Sequence, residues 1–338
     1  MRSFKSKYLI VGCLILLASA GAQAGPTGVH LLKSVTLGGD TFWDCVYFDA
    51  PNHHIFVTHG SHVVVVDSDS YAVVGDIPET PQVHGVAVAD KLGKGFITSG
   101  ASNAVIAFDP KTLKTTGTIA VGIRPDAIVY DPFTKRVFTF NAGSKDATAI
   151  DAASGTVDGT IPLGGKPEFA VSDGSGHVFD NIEDKSEIVE IDAKTMTVVQ
   201  HWPLAPCEEP TGIALDRAHA RLFVACGNQM MAVVNAKTGK LVTTIPTGRG
   251  ADGAAFDPKT RNVLVPNGEG KLSVIHQDGA DKYHLVENVA TQFGARTLDL
   301  DPTTHRVFSA TADLTPDPGK RPPYKMGPGS FRLLVFGK

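Results

Sequence analysis

Apolar and polar positions along this chain fall into short, strand-length runs, with no sustained spacing of 3.6 residues that would predict a substantial helix. The runs recur in sets of four. A first segment carries a polar residue near its start, as in "WDCVYFD" (43–49), "PDAIVYD" (125–131) and "PTGIALD" (210–216). A second follows a short polar turn and is anchored by an aromatic residue or Leu, as in "HHIFVTHG", "KRVFTFNAG" and "ARLFVACG". A third runs into a turn holding Asp67, Asp109, Asp151, Asp192 or Asn235, whose short side chains bond nearby backbone groups. A fourth, such as "TGTIAVG" or "VTTIPTG", closes the set.

The second residues of the first segments stand at 44, 84, 126, 168, 211, 252 and 296, a period near 42. Four short strands in a unit of that size predict a propeller blade, and seven units predict an all-β, seven-bladed β-propeller spanning 25–338 as one domain. The seventh unit stops at "SFRLLVFGK" without a fourth strand, while "HLLKSVTLGG" (30–39) is a fourth strand without a blade. Pairing the two closes the last blade with the N-terminal strand and removes an open edge.

The first residues add a destination. Arg2, Lys5 and Lys7 precede an apolar run, and Ala22-Gln23-Ala24 follows it, which predicts a signal peptide over 1–24 and a periplasmic or secreted product. No later segment reaches the roughly 18 apolar residues of a membrane span. A net charge of −4 supplies no basic footprint for nucleic acid. Export permits a disulfide, and Cys207 and Cys226 belong to the same face of the fifth unit; a bond between them and two separate thiols are both open readings. Cys45 matches Gly85, Ala127, Gly212 and Gly253 in other units, a slot for small residues that implies tight packing, not a nucleophile.

In a propeller the innermost strands begin on the face where the second strands end. Two sets of residues should therefore converge at the channel mouth. One is Asp44, His84, Asp126, Glu168, Thr211, Asp252 and Arg296; the other includes His59, Ser99, Asn141, Asn181, Cys226, Asn267 and Thr311. Four carboxylates against one arginine predict an electronegative mouth, suited to a cation or a polyhydroxylated ligand. Polar residues facing a wet channel, or bonding their own turns, account for the same pattern without a ligand. Asp44, His59 and His84, with His62 nearby, offer carboxylate and imidazole ligands for a divalent metal, although no short motif fixes two of them on one element. No other cofactor is predicted: "GRGADG" (248–253) precedes a strand, whereas a dinucleotide fingerprint opens a helix. The Pro- and Gly-rich segment 312–330 emerges on the mouth face, where Lys320, Arg321 and Lys325 could reach the acids.

The "V-x-V-x-D" turns and the stretch "KTGKLVTTIPTG" (237–248) resemble the YVTN-type repeats of YncE-like exported bacterial propellers, with "FVTH", "FTFN" and "FVAC" in place of the YVTN tetrapeptide. The resemblance spans the chain after residue 24 and implies the seven-bladed fold. It leaves activity open, because propellers of this kind include binding proteins and enzymes. Two functions follow: a non-catalytic binding or scaffold protein holding a small polar ligand or a protein partner at the mouth, or a metal-assisted lactonase- or lyase-type enzyme at the same place. The resemblance also raises nucleic-acid binding, which an acidic mouth disfavours.

Overall fold

The computed structural model describes residues 26–39, 41–319 and 323–338. The expected leader, 1–24, lies outside the described residues, as do Lys320 and Arg321. Among the described residues the sheets are seven four-stranded antiparallel blades and one two-stranded ribbon. Each blade runs outward in sequence order, for example Trp43–Asp49, His54–His59, His62–Asp67 and Val73–Ile77 in blade one. Blade seven is the exception. Its outermost strand is His30–Thr36, paired antiparallel with Arg332–Gly337, so the two ends of the chain close the circle.

Strand chemistry follows radial position. The second and third strands are sandwiched between neighbouring blades and are buried almost throughout, which is why runs such as "HVVVVD" lack clean alternation. Outermost strands face solvent and carry polar residues, as Thr115–Ala120 does. The apolar residues form seven clusters, one at each junction between adjacent blades; Phe56, Ile97 and Phe108 fill the junction of blades one and two, and Phe179, Leu222 and Val224 that of four and five. The Asp turns behave as their chemistry requires. Asp67 accepts from the Ser70 N–H at 2.7 Å, Asp151 from Ser154 at 2.7 Å and Asp192 from Lys194 at 2.8 Å.

Polar side chains tie inner strands to the neighbouring blade at several junctions. Thr98 donates to the Asp126 carbonyl at 2.7 Å, Asn181 to the Thr211 carbonyl at 2.7 Å, Thr211 to the Ala251 carbonyl at 3.0 Å, and Thr297 to the Asp44 carbonyl. The small-residue slot lies here, and a Cβ on Gly212 would come within 2.3 Å of the Gly253 carbonyl carbon. Cys45 occupies the same slot in blade one; burial first, then the charges of Asp44 and Asp299, push its thiol well above the ordinary range, so it is not a thiolate at neutral pH.

Among its described residues, segment 312–330 contains paired strand that its Pro and Gly content does not predict. Leu314–Pro316 pairs with Tyr324–Met326 as a short ribbon. Its base is held from several sides: Asp313 binds Arg332 at 2.8 Å and Gln292 at 3.0 Å, while Met326 and Phe331 pack with Trp43 in the junction of blades seven and one. Cys207 and Cys226 form a disulfide that joins the approach to blade five's inner strand to the end of its second strand. Among the described residues, no helix is long and apolar enough to cross a membrane.

Candidate functional site

Pairing of Trp43 with His59, Val83 with Ser99, Pro125 with Asn141 and Pro210 with Cys226 puts inner-strand starts beside second-strand ends. Immediately after each of these pairs the register shifts, a bulge that separates the ring residue from the regular ladder. Asp44, His84, Asp126, Glu168, Asp252 and Arg296 meet as one electrostatic network.

His84 is its centre. Its Nδ1 donates to Asp44 Oδ2 at 2.6 Å and stands 3.5 Å from Asp126 Oδ1. Burial works against the charged ring, but the Asp44 hydrogen bond and the charges of Asp126 and Asp44 outweigh it and hold the pKa at about 9, with Arg124 opposing. Arg296 bridges Asp252 at 3.1 Å and Asp44 at 3.5 Å. Lys166 serves Glu168 at 2.5 Å and also binds Glu183. Burial, followed by the charges of Asp126 and Asp252, raises Glu168 to about 8. Asp252 rises to about 7 through burial, with Arg296 pulling back. Beneath them Asp180 is completely buried, and burial, then Glu168 and Asp126, push its carboxyl well above the usual range.

Cations are interleaved with the acids of the ring, His84 and Arg296 on Asp44, Arg296 on Asp252 and Lys166 on Glu168. Burial first, and repulsion between neighbouring acids after it, raise Glu168 to about 8 and Asp252 to about 7, while His84, Arg296 and Lys166 set positive charge against the ring. The ring also opens into a cavity of about 1000 Å³ with a different character. Arg124, Arg249 and Arg296 line it, together with Phe42, Trp43, Phe293, Leu314 and Tyr324. The ribbon supplies one wall, where Tyr324 meets Phe293 edge-on at 5.1 Å. A further cavity of about 870 Å³ runs along the inner strands, past Cys45, Ala127 and Leu298.

Three expected ligand residues are used elsewhere. Asn141 is fully buried, and its amide donates to Asp146 at 2.7 Å and Thr148 at 3.0 Å. The Asn181 amide N–H and the Thr211 hydroxyl are used in the inter-blade bonds described above. Blade four explains Asn181: its inner strand pairs Pro167 with Ile182, so Asn181 is one residue short of the strand end and points to the other face. Of the metal candidates, Asp44 and His84 come together and are joined by Asp126, which sequence did not put forward as a metal ligand; the three bring ligating atoms within 4.8 Å of one another, a donor set of a type that suits a divalent ion. His84 would first have to surrender its Nδ1 proton. His59 does not join them; its buried ring stacks on Phe331 with centroids 4.1 Å apart and faces His62, Nδ1 to Nε2 at 3.3 Å.

Sequence reasoning missed Arg124, Arg249, Phe42, Phe293 and Tyr324. Four of them share a signal: they stand two or three places before a ring residue, in the turn that enters each blade. Arg124 adopts φ 53°, a left-handed conformation also taken by Gln82, Glu209, Gly250 and Gly294 at the matching position.

No protein-family model matches the chain. It is 26% identical over 232 residues to the uncharacterized protein YncE of Salmonella typhi, and equally to that of Salmonella typhimurium; the match takes in 67% of this chain and 54% of theirs, so the chain spans about half the length of the curated relatives it matches. Among solved structures it resembles Kuenenia stuttgartiensis hydrazine synthase, with a TM-score of 0.69 at 16% identity over 81% of this chain and 93% of that one. It also resembles U3-55K, with a TM-score of 0.75 at 9% identity over 92% and 99%. At such identities these two likenesses concern fold alone. Sequence likeness and the seven closed blades together fit a YncE-like β-propeller family.

Proposed function

We propose that this protein is an exported, non-catalytic binding propeller that holds a small polar ligand at the channel mouth. The observation that carries the reading is the roughly 1000 Å³ cavity in which charged groups converge under an aromatic ribbon, a size and composition in the range of small-molecule sites. Export rests on the leader at 1–24.

A second reading, a metal-assisted lactonase or lyase, is favoured by the Asp44, His84 and Asp126 donor set. A bound divalent ion would polarise a carbonyl or activate water there. One experiment separates the two. Mature protein purified without a His-tag is assayed for bound metal, screened calorimetrically against small polar metabolites, and tested for turnover on lactones and esters. Binding without metal or turnover, weakened about tenfold or more by Tyr324→Ala, is the expected result. Turnover abolished by Asp126→Ala would replace the binding reading with the enzymatic one.

A further inference from the structure

We propose that the mouth selects a small organic anion, a carboxylate carried on a flat apolar body. This rests on the binding reading above and specifies its ligand. On the cavity wall the charged residues are Arg124, Arg249 and Arg296 against Asp44 and Glu269, with the His84 imidazole hydrogen-bonded to Asp44. Three guanidiniums face two carboxylates.

Their pairing is uneven. Asp44 is shared between His84 and Arg296. Glu269 is shared between Arg249 at 3.1 Å and Lys271 at 2.8 Å. Arg124 is left over. It is exposed, its charge acts on His84 and Asp126, and among the described residues its guanidinium forms no ion pair. The turn that enters blade three fixes its backbone, with the Arg124 N–H donating to Asn103 Oδ1 at 2.9 Å. A cation entering this wall meets an excess of like charge, whereas a carboxylate can take two parallel N–H donors from a guanidinium.

The remaining wall calls for an apolar body. Phe42 and Phe293 stay 40% and 42% exposed beside the arginines. Phe42 stacks near-parallel on Trp43 at 6.2 Å, and Phe293 meets Tyr324 edge-on. Exposed aromatic faces gathered in a concavity gain from a flat group that covers them, and an arginine can stack on the same group. A purely hydroxylated ligand would leave Arg124 without a counter-charge.

The test uses three probes that share one ring system and differ in charge: naphthoate, naphthalenemethanol and naphthylmethylamine. Calorimetry on the mature protein at moderate salt should show naphthoate binding about tenfold or more above the other two. Arg124→Ala should remove about that factor, Arg124→Lys should restore part of it, and Phe293→Ala should weaken all three probes. Both side chains are exposed, so melting temperatures serve as the folding control. Equal or tighter binding of the amine, or unchanged naphthoate affinity in Arg124→Ala, overturns the anion assignment while leaving the binding reading intact. No binding by any probe, together with an empty metabolite screen, overturns both. A single-stranded oligonucleotide that binds far more tightly than naphthoate through Arg124, with steep salt dependence, would assign the arginines to a polyanion and also overturn the proposal.

Discussion

Asp44 shows how much one side chain can organise. Its carboxylate accepts from His84, approaches Arg296, and its carbonyl accepts from Thr297 of the neighbouring blade. Asp44→Asn keeps the shape and removes the charge that holds the proton on His84. The His84 titration, followed by its ring protons in NMR, should move down from about 9 toward the ordinary imidazole value of 6.5. Removing the ionic acceptor should also cost about 1–3 kcal/mol, read by chemical denaturation at pH 7. A titration unchanged within error would show that Asp126 alone retains the proton. The shared phase of the ring positions was legible in the sequence because each occupies one place in the repeat, although Thr211 turns to an inter-blade bond and leaves six in the network. The ring's charge state was not, because protonation depends on burial and on neighbours 40 or more residues away, such as Asp44 for His84.

At the scale of elements, strand order and face were readable from spacing. The ring residue precedes the second-strand end by fifteen positions in blades one, two, three and five, as in Asp44 to His59 and Asp126 to Asn141. In blade four the interval is fourteen, Glu168 to Ile182, because the turn from Asp173 to His177 is one residue shorter than that from Asp131 to Arg136. Matching Asn181 to Asn141 by residue type overlooked that deletion, and a one-residue slip in a strand reverses every side chain. The ribbon was illegible for another reason: its paired strands are three residues each, too short to show a period, and their order comes from Met326 and Phe331 packing into the junction below. The Cys207–Cys226 bond closes a loop with a sequence separation of 19. Replacing both cysteines with Ala should cost about 3 kcal/mol, from the entropy of a loop of that size. Chemical denaturation of the double variant beside the parent checks it, and an equal midpoint with an equal slope would show that blade-to-blade packing already holds that turn.

Over the whole molecule, the circle of blades concentrates acids on one axis, and this gives stability a sign with pH. Folding raises His84 from 6.5 to about 9, Glu168 from 4.5 to about 8, Asp252 from 3.8 to about 7 and Asp299 from 3.8 to about 6. In every case the folded chain holds protons that the unfolded chain has released, so stability falls as pH rises through this range. The His84 contribution is complete below 6.5 and is lost through about 9. For the raised acids the loss begins near 4 and ends near 8. The turn acids act oppositely. Local N–H bonds hold Asp109, Asp151 and Asp192 below the usual carboxylate range, and their stabilisation disappears as they protonate in strong acid. The two trends place the stability maximum in mild acid, on the order of pH 4–6, lower than the pH 5–8 common among proteins. Thermal melts at constant ionic strength should therefore show a melting temperature that declines steadily from about pH 5 to pH 9. Glu168→Gln removes one raised acid and should flatten the decline between about pH 5 and 8, while leaving the His84 portion above pH 8 in place. A melting temperature that rises toward pH 9, or a Glu168→Gln profile parallel to that of the parent, would mean that water entering through the cavity screens the ring enough to cancel its crowding.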